Sequence, residues 1–234
     1  MARSNFVITI IFTIFIFTST GFTADKYQWK LVDTENECKI YTSTVPGKGY
    51  IAAKATCLFP ARIETVGVAL RDIANYPNWM EDCSETKILK EYDAANDGFI
   101  FWYRQNIPLQ TDRDMVLKSK TDWDFKKGKN VIYADMTEDV PYDSGKGYIK
   151  MRSFSSVWTL QWVDREHTMV TFMIDPDLGD GLPVSIANSI IKTNPLKSLK
   201  KMMKIVKEKK YIEAGKKSKY VKLVEEAIKG GHLK

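Results

Sequence analysis

Residue types that support covalent or metal chemistry are sparse in this sequence of 234 residues. The two histidines, His167 and His232, are far apart, and Cys38, Cys57 and Cys83 have no histidine-rich neighbourhood. No histidine or cysteine pair has the spacing of a zinc or iron site. The sequence also lacks a glycine-rich phosphate loop, a nucleophile elbow and a Ser-His-Asp arrangement. We therefore expect neither a metal nor an organic cofactor.

Most carboxylates fall in predicted turns, where solvated acids are expected. Asp135 and Glu138 fall instead in a predicted strand, and a cavity could shift their pKa values. General acid–base catalysis by these acids, with Tyr103 in the same pocket, is one interpretation. The spacing singles out none of these groups, so the sequence favours a binding protein over an enzyme.

Cys38 and Cys57 flank a turn-like segment at 45–49, and the midpoint between them falls inside it. In a symmetric hairpin the two cysteines are directly opposite, close enough for a disulfide. An oxidising compartment permits that bond. A shift of one residue in the loop would instead leave two buried thiols. Both interpretations stay open.

The stretch 175–206 has the only long amphipathic helix pattern in the sequence, so we expect the other elements to pack around it. It opens with a predicted turn at 175–181, and Pro183 suits a first helical turn. Pro195 predicts a kink or break near Asn194. The apolar residues recur mostly at three- and four-residue steps: Val184, Ala187, Ile191, Leu199, Met202 and Val206. Such a helix needs an apolar partner, here a curved sheet.

Short strand-like runs separated by turns precede that helix. They predict strands at 29–33, 38–45, 50–59, 86–92, 98–107, 115–124, 131–138, 148–163 and 169–174, and a short helix at 61–73. Strands at such short intervals form antiparallel hairpins. The order of elements indicates an α+β domain. A sheet closed by one long helix encloses a cavity.

Residues 1–24 resemble a signal peptide, with Arg3 before an apolar run at 6–17. Small residues allow cleavage after 21 or after 24. Alternatively, 6–24 is just long enough to remain as a membrane anchor. Either way we expect the body of the protein outside the cytoplasm: in the periplasm, secreted, or held at the membrane.

The formal net charge is +6, and eleven lysines lie between Lys197 and Lys222 against only Glu208 and Glu213. One interpretation is a solvated helix face, and the other is peripheral contact with an anionic membrane. Nucleic-acid binding is not expected of an exported chain. Residues 213–234 are predicted as a Lys-rich tail with a short helix at 218–229, which Gly230 ends.

Several motifs together carry a family resemblance. They are the segments at 38–42 and 45–47, Tyr-Pro-Asn-Trp at 76–79, Arg-Asp-Met-Val at 113–116, Arg152, and the segment 175–183 with Asn188 after it. The combination resembles the StAR-related lipid-transfer (START) domain, in a bacterial exported form, within the Bet v 1-like helix-grip superfamily. The resemblance covers 29–210, and we expect the domain at 25–212. The acidic segment 177–180 departs from the glycine pair expected there.

The resemblance implies a curved antiparallel sheet wrapped around a long C-terminal helix, enclosing a hydrophobic cavity. It implies binding of a lipid, fatty-acid or sterol-like ligand, for carriage or sensing, with the loop 175–183 and Trp79 at the opening. Cyclases and hydrolases of the superfamily keep the enzyme interpretation open. The candidate apolar and amide ligand-binding residues are Trp79, Phe101, Tyr103, Met136, Trp158, Phe172, Ile174, Pro183, Asn188, Ile191 and Met202. Any single aromatic of this set could instead fill a solid core.

Arg113 and Arg152 complete the candidate site. Guanidinium groups suit a lipid carboxylate, hydroxyl or phosphate, so both arginines are candidate ligand contacts. The alternative is structural, because a buried charge needs a partner and Asp114 could form a salt bridge.

Overall fold

The computed structural model describes residues 26–234, so the predicted signal peptide and its cleavage points lie outside the described residues. The strands are β1 (Lys30–Glu35), β2 (Cys38–Thr44), β3 (Ile51–Phe59), β4 (Cys83–Asp93), β5 (Gly98–Gln105), β6 (Arg113–Asp124), β7 (Lys129–Met136), β8 (Ile149–Lys150), β9 (Ser153–Trp162) and β10 (Thr168–Asp177). The helices are α1 (Ile63–Arg71), α2 (Tyr76–Trp79), α3 (Val184–Ile205), α4 (Lys209–Lys216) and α5 (Val221–Lys229).

One sheet contains all ten of these strands. Its order is β1-β2-β3-β10-β9-β7-β6-β5-β4, and the two-residue β8 pairs with β6. The β8 pairing is parallel and the others are antiparallel. The last strand, β10, returns to lie beside β3 and joins the N-terminal strands to the rest. The sheet and the long helix after it confirm the predicted α+β helix-grip fold.

Alternation along the strands assigns one face of the sheet to the interior. On β5, Phe101 and Tyr103 point inward and belong to the hydrophobic core. Trp102 points outward, where Tyr142 covers it with ring centres 5.3 Å apart. Both faces of β5 are therefore buried, which explains why the sequence of this strand does not reveal its inner face.

Helix α3 packs its apolar side on β3 and β10. Ala187, Ile191, Leu199 and Met202 are buried along this side, as the spacing predicts. The helix continues through Pro195, so the break considered near that proline does not occur. Apolar residues before and after Pro195 pack on the same sheet, and this packing offsets the one lost backbone hydrogen bond.

The turn predicted at 175–181 begins later, because β10 extends through Asp177. The pairing of β10 with β3 ends at Ile174, whereas its pairing with β9 continues to Asp177. Pro176 therefore lies where one side of the strand has no partner. A proline is tolerated at such an edge because no ladder hydrogen bond is needed from it.

Cys38 and Cys57 lie opposite each other in the β2–β3 pair and form a disulfide. Both residues are buried on the inner face, within the hydrophobic core. Cys83 is also buried and is a free thiol. The disulfide therefore fixes the register of the β2–β3 hairpin from inside the domain.

Residues 213–234 fold onto the domain through α4 and α5. Tyr220, Val224 and Leu233 are buried there. Gly215 of α4 packs so closely on α1 that a side-chain carbon at this position would lie 2.9 Å from the Cα atom of Thr65. Glycine at position 215 therefore allows the backbone of α4 to pack directly against α1.

Candidate functional site

A cavity lies between the inner face of the sheet, α1 and the first half of α3. All the space between its atoms amounts to about 940 Å³, which includes space open to solvent. The centres of water-sized molecules can occupy about 60 Å³ of this cavity. One water needs roughly 10–15 Å³ of such space. The cavity as it stands is therefore narrow, with room for a few waters.

Most of the lining is apolar or aromatic. The apolar lining residues are Leu70, Ile73, Met80, Phe99, Phe101, Leu117, Ile132, Ala134, Phe154, Trp158, Phe172, Ile174, Pro176, Leu178, Ile190 and Ile191. The ring of Trp158 stacks on Phe172 at 3.9 Å between centres, and Trp79 meets Trp158 edge-on at 5.9 Å. Trp158 and Phe172 therefore form an aromatic wall on the sheet side of the cavity, and Trp79 packs beside Trp158.

Six predicted site residues line this cavity together: Phe101, Tyr103, Trp158, Phe172, Ile174 and Ile191. Five others lie outside the lining: Trp79, Met136, Pro183, Asn188 and Met202. Trp79 and Met202 are 0% exposed and belong to the packed core beside the cavity. The side-chain oxygen of Asn188 accepts a hydrogen bond from the backbone N–H of Ile51 at 3.0 Å. Asn188 thus ties the first turns of α3 to β3.

Arg113 and Arg152 also lie outside the lining. Arg113 is 1% exposed, and it donates to the carbonyl oxygens of Leu178 at 3.1 Å and Asp180 at 3.0 Å. Arg152 is exposed and pairs with the carboxylate of Asp180. Both guanidinium groups therefore hold the loop that follows β10.

Asp114 has partners other than the expected arginine. Its Oδ2 atom accepts hydrogen bonds from Trp102 Nε1, at 3.1 Å, and from the Ser144 hydroxyl. These partners lie on the outer side of the sheet. Within residues 26–234, Asp114 forms no salt bridge with Arg113 or Arg152.

The loop at 178–182 closes one end of the cavity. Leu178 and Leu182 are buried, and Leu178 lines the cavity. Gly179 has a φ of +76°, and its carbonyl oxygen accepts a hydrogen bond from the hydroxyl of Tyr50 at 3.1 Å. The loop is thus fixed by its backbone carbonyls and by two inserted leucines.

Asp175 lies just before this loop and is 1% exposed. It accepts from Lys26 at 2.6 Å, Lys48 at 2.8 Å and the Tyr27 hydroxyl at 2.8 Å. Burial alone would raise the pKa of Asp175, but the hydrogen bonds from these three side chains outweigh it and lower the pKa. A charged Asp175 therefore joins the start of the described chain to the end of β10.

Six neutral residues with amide or aliphatic hydroxyl side chains also line the cavity: Gln105, Ser119, Thr121, Asn130, Ser156 and Asn194. The sequence did not predict any of them as a ligand contact. Asn130 is 0% exposed, and neither of its amide atoms has a hydrogen-bond partner among the described residues. On β6, the charged neighbours Lys118 and Lys120 alternate with Ser119 and Thr121. That alternation is a signal that could have placed the two hydroxyl side chains inside.

Arg71 and Asp97 line the end of the cavity away from the loop, and they pair at 3.3 Å. Asp97 also pairs with Lys219 at 2.8 Å and accepts from the Tyr220 hydroxyl at 2.8 Å. The C-terminal segment therefore contacts the rim of the cavity. The charged groups at this end of the cavity form ion pairs with one another.

Tyr103 and the neighbouring Cys83 are buried groups that are neutral at physiological pH. Burial, the largest cause, raises the pKa of Tyr103 well above its usual value. Burial likewise raises the pKa of the Cys83 thiol to about 12. The middle of the cavity thus has an uncharged phenol and no reactive thiolate.

The carboxylates considered for catalysis lie elsewhere. Asp135 and Glu138 are exposed, and Asp135 accepts a hydrogen bond from Ser155 on the outer face of the sheet. In the described part of the chain, no group of three His, Cys, Asp or Glu residues could hold a metal ion. None of the helices between residues 26 and 234 has the length and apolar character needed to cross a membrane.

Comparisons with known proteins place the fold in a family. The START domain family model matches residues 18–212. An uncharacterized protein of Pseudomonas aeruginosa is 28% identical over 176 residues, which cover 74% of this chain and 83% of that protein.

Solved structures share the architecture. The structure of the STAR-related lipid transfer protein (fragment 25–204) from Xanthomonas axonopodis has a TM-score of 0.68 at 21% identity, covering 77% of this chain and 99% of that one. Human StAR-related lipid transfer protein 5 has a TM-score of 0.66 at 14% identity, covering 78% and 88%. With the family match over most of its length, the chain belongs to the START domain family.

Proposed function

We propose that this protein binds one hydrophobic molecule, a lipid, fatty-acid or sterol-like compound, in its cavity and carries or senses it. The observation that carries the proposal is the aromatic and aliphatic lining between the sheet and α3, closed by the loop at 178–182. Burial of each CH₂ group contributes about 0.8 kcal/mol, so an alkyl chain alone can bind strongly. Two structural neighbours bear lipid-transfer names, which agrees with this proposal.

Ligand uptake requires the cavity to widen, since its present free space is about 60 Å³. The loop at 178–182 is the segment that opens in our proposal. Side chains of Arg113 and Tyr50 hold its carbonyl groups, and water can replace those hydrogen bonds when the loop lifts. Leu178 then leaves the cavity end, and the ligand enters along the wall formed by Trp158 and Phe172.

The test is native mass spectrometry of the full chain purified from its own compartment, followed by organic extraction. We expect a stoichiometric bound mass that partitions into the organic phase. A protein that is empty and also ignores a panel of fatty acids, alcohols, phospholipids and sterols would overturn the proposal.

A pair of variants separates cavity binding from surface adsorption. Ala134 lines the cavity on β7, whereas Val131 points to the outer face of the same strand. Ala134→Leu fills the cavity and is expected to reduce ligand occupancy, whereas Val131→Leu should leave it unchanged. Equal occupancy in both variants would place the ligand outside the cavity.

The proposed site of action is outside the cytoplasm. The Cys38–Cys57 disulfide supports this, because such bonds persist in oxidising compartments. Cell fractionation with alkylation of free thiols before lysis tests it. The expected result is oxidised Cys38 and Cys57 in the periplasmic or secreted fraction; a reduced cytoplasmic protein would contradict it.

Peripheral contact with an anionic membrane is part of the same proposal. Seven of the eleven lysines between Lys197 and Lys222 form ion pairs: Lys197, Lys200, Lys201, Lys210, Lys216, Lys219 and Lys222. The basic surface available to lipids therefore centres on Lys204, Lys207, Lys209 and Lys217. Binding to vesicles with phosphatidylserine, weakened by salt, is expected; equal binding to neutral vesicles would contradict a role for these lysines.

A further inference from the structure

Asn130 is a buried amide that faces the cavity without a hydrogen-bond partner. The residue is 0% exposed and lines the cavity, and its Oδ1 and Nδ2 atoms are both unpaired within the described chain. Burying an amide without a partner costs free energy, and each such group in a folded protein requires an explanation. A hydrogen bond between Asn130 and a polar atom of the ligand is such an explanation.

The surroundings of Asn130 are polar but carry no unpaired charge. Ser119, Thr121 and Ser156 share the inner face with it. The nearest charged lining residues, Arg71 and Asp97, pair with each other. This end of the cavity therefore offers neutral hydrogen-bonding groups.

We propose that Asn130 binds a hydroxyl group, so that the cavity selects a neutral amphiphilic alcohol over the carboxylate of the same chain length. A carboxamide both donates and accepts, and so does a hydroxyl, so one hydroxyl can satisfy Nδ2 and Oδ1 together. A carboxylate only accepts; it would leave Oδ1 unpaired and place a charge in an apolar site. This inference rests on the proposed function and adds the chemical class of the ligand.

The register of the strands gives the ligand an orientation. Asn130 lies opposite Leu160 on β9, whereas Phe154 at the other end of β9 lies opposite Pro176, next to the loop. The six steps along the strand from Phe154 to Leu160 span roughly 20 Å. The hydroxyl group therefore lies far from the loop, and the apolar chain extends back along Trp158 towards it.

The test measures the affinity of the full chain for dodecanol, dodecanoate and dodecane, each supplied from cyclodextrin at neutral pH. We expect the wild type to prefer dodecanol to both others. Asn130→Leu should weaken dodecanol binding about fivefold to tenfold, the loss of a buried hydrogen bond, and leave dodecane binding unchanged. Thr159→Val is the matched control, since Thr159 lies beside Leu160 on β9 but on the outer face of the sheet, opposite Val131 and outside the cavity lining.

Each outcome decides a different point. If the wild type binds dodecanoate or dodecane as tightly as dodecanol, or if Asn130→Leu keeps the preference for dodecanol, the inference is wrong and the proposed function stands. If the wild type binds none of the three probes, the proposed function fails with it. Dodecane binding by Asn130→Leu shows whether this variant keeps a folded cavity. If the variant does not fold, the preference of the wild type among the three probes tests the inference by itself.

Discussion

The guanidinium Nε of Arg113 donates a hydrogen bond to the backbone carbonyl oxygen of Leu178, 3.1 Å away. Arg113 begins β6, and Leu178 begins the loop that closes the cavity. Nη2 of the same side chain reaches the carbonyl oxygen of Asp180 at 3.0 Å. One buried cation therefore binds two backbone carbonyl oxygens of the loop, and the buried leucines and Tyr50 hold the loop alongside it.

Replacing Arg113 with Met is expected to speed ligand release. The substitution removes both hydrogen bonds to the loop and keeps an apolar stem of similar length. A loss of about 1.5 kcal/mol of loop stability, typical of a charge-assisted hydrogen bond, corresponds to roughly tenfold faster release. Stopped-flow displacement of a bound fluorescent fatty-alcohol analogue measures this rate.

Arg152→Gln is the matched control for that experiment. Arg152 also contacts the loop, but its pair with Asp180 is exposed. Exposed pairs contribute about 0–1 kcal/mol, so the release rate should stay within about threefold of the wild type. Equal rates in the Met and Gln variants would show that the Arg113 contacts do not control the loop.

Gly179→Ala should destabilise the protein more than Gly145→Ala. Both glycines have positive φ values, +76° and +84°, so both substitutions add backbone strain of about 1–2 kcal/mol. A side-chain carbon at 179 would also lie 3.3 Å from the Lys150 carbonyl oxygen, whereas one at 145 meets nothing within 4 Å. Urea unfolding of the two variants compares them, and an equal loss would mean that the loop moves freely away from β8.

Loss of the Cys38–Cys57 disulfide should lower the free energy of unfolding by about 3 kcal/mol. The two cysteines are separated by 19 positions, and a loop of this size restricts the unfolded chain by about that amount. Unfolding in denaturant with and without a reductant measures the difference. Cys83→Ala serves as the control: its thiol is free, so the reductant should still destabilise this variant as it does the wild type.

Asp175 gives the stability of the protein an acid-sensitive component. Its pKa is lowered in the folded state, so between the folded and unfolded pKa values the unfolded chain binds more protons. The stabilisation is complete above the unfolded value of about 3.9 and is lost as the pH falls through the lower folded value. Urea unfolding from about pH 6 to about pH 3 should show this loss. Asp175→Asn should flatten the dependence, and an unchanged slope would assign it to other acids.

The fold was predictable because its signals are local. Hairpin spacing, the turn at 45–49 and the apolar face of α3 all depend on residues near one another in sequence. The inner face of β5 was not predictable, because Phe101 and Trp102 are both buried, on opposite faces of the sheet. Periodicity gives the alternation of a strand, while tertiary packing decides which side faces inward.

The candidate site was predictable only in its apolar part. Phe101, Trp158 and Phe172 line the cavity, as large apolar residues on strands tend to do. The role of Arg113 depends on the carbonyl oxygens of a loop 65 residues away, and no local pattern encodes such a contact. Asn130 was missed because one polar residue at the start of a strand resembles a solvated turn residue.

The narrow interior affects the state of the protein between the release of one ligand and the binding of the next. The cavity has space for only a few waters, and Leu178 and Leu182 are buried at its closed end. A protein that has released its ligand therefore keeps the apolar lining at this end of the cavity covered. In the proposed function, this lining meets solvent only when the loop at 178–182 opens to take up or deliver a ligand.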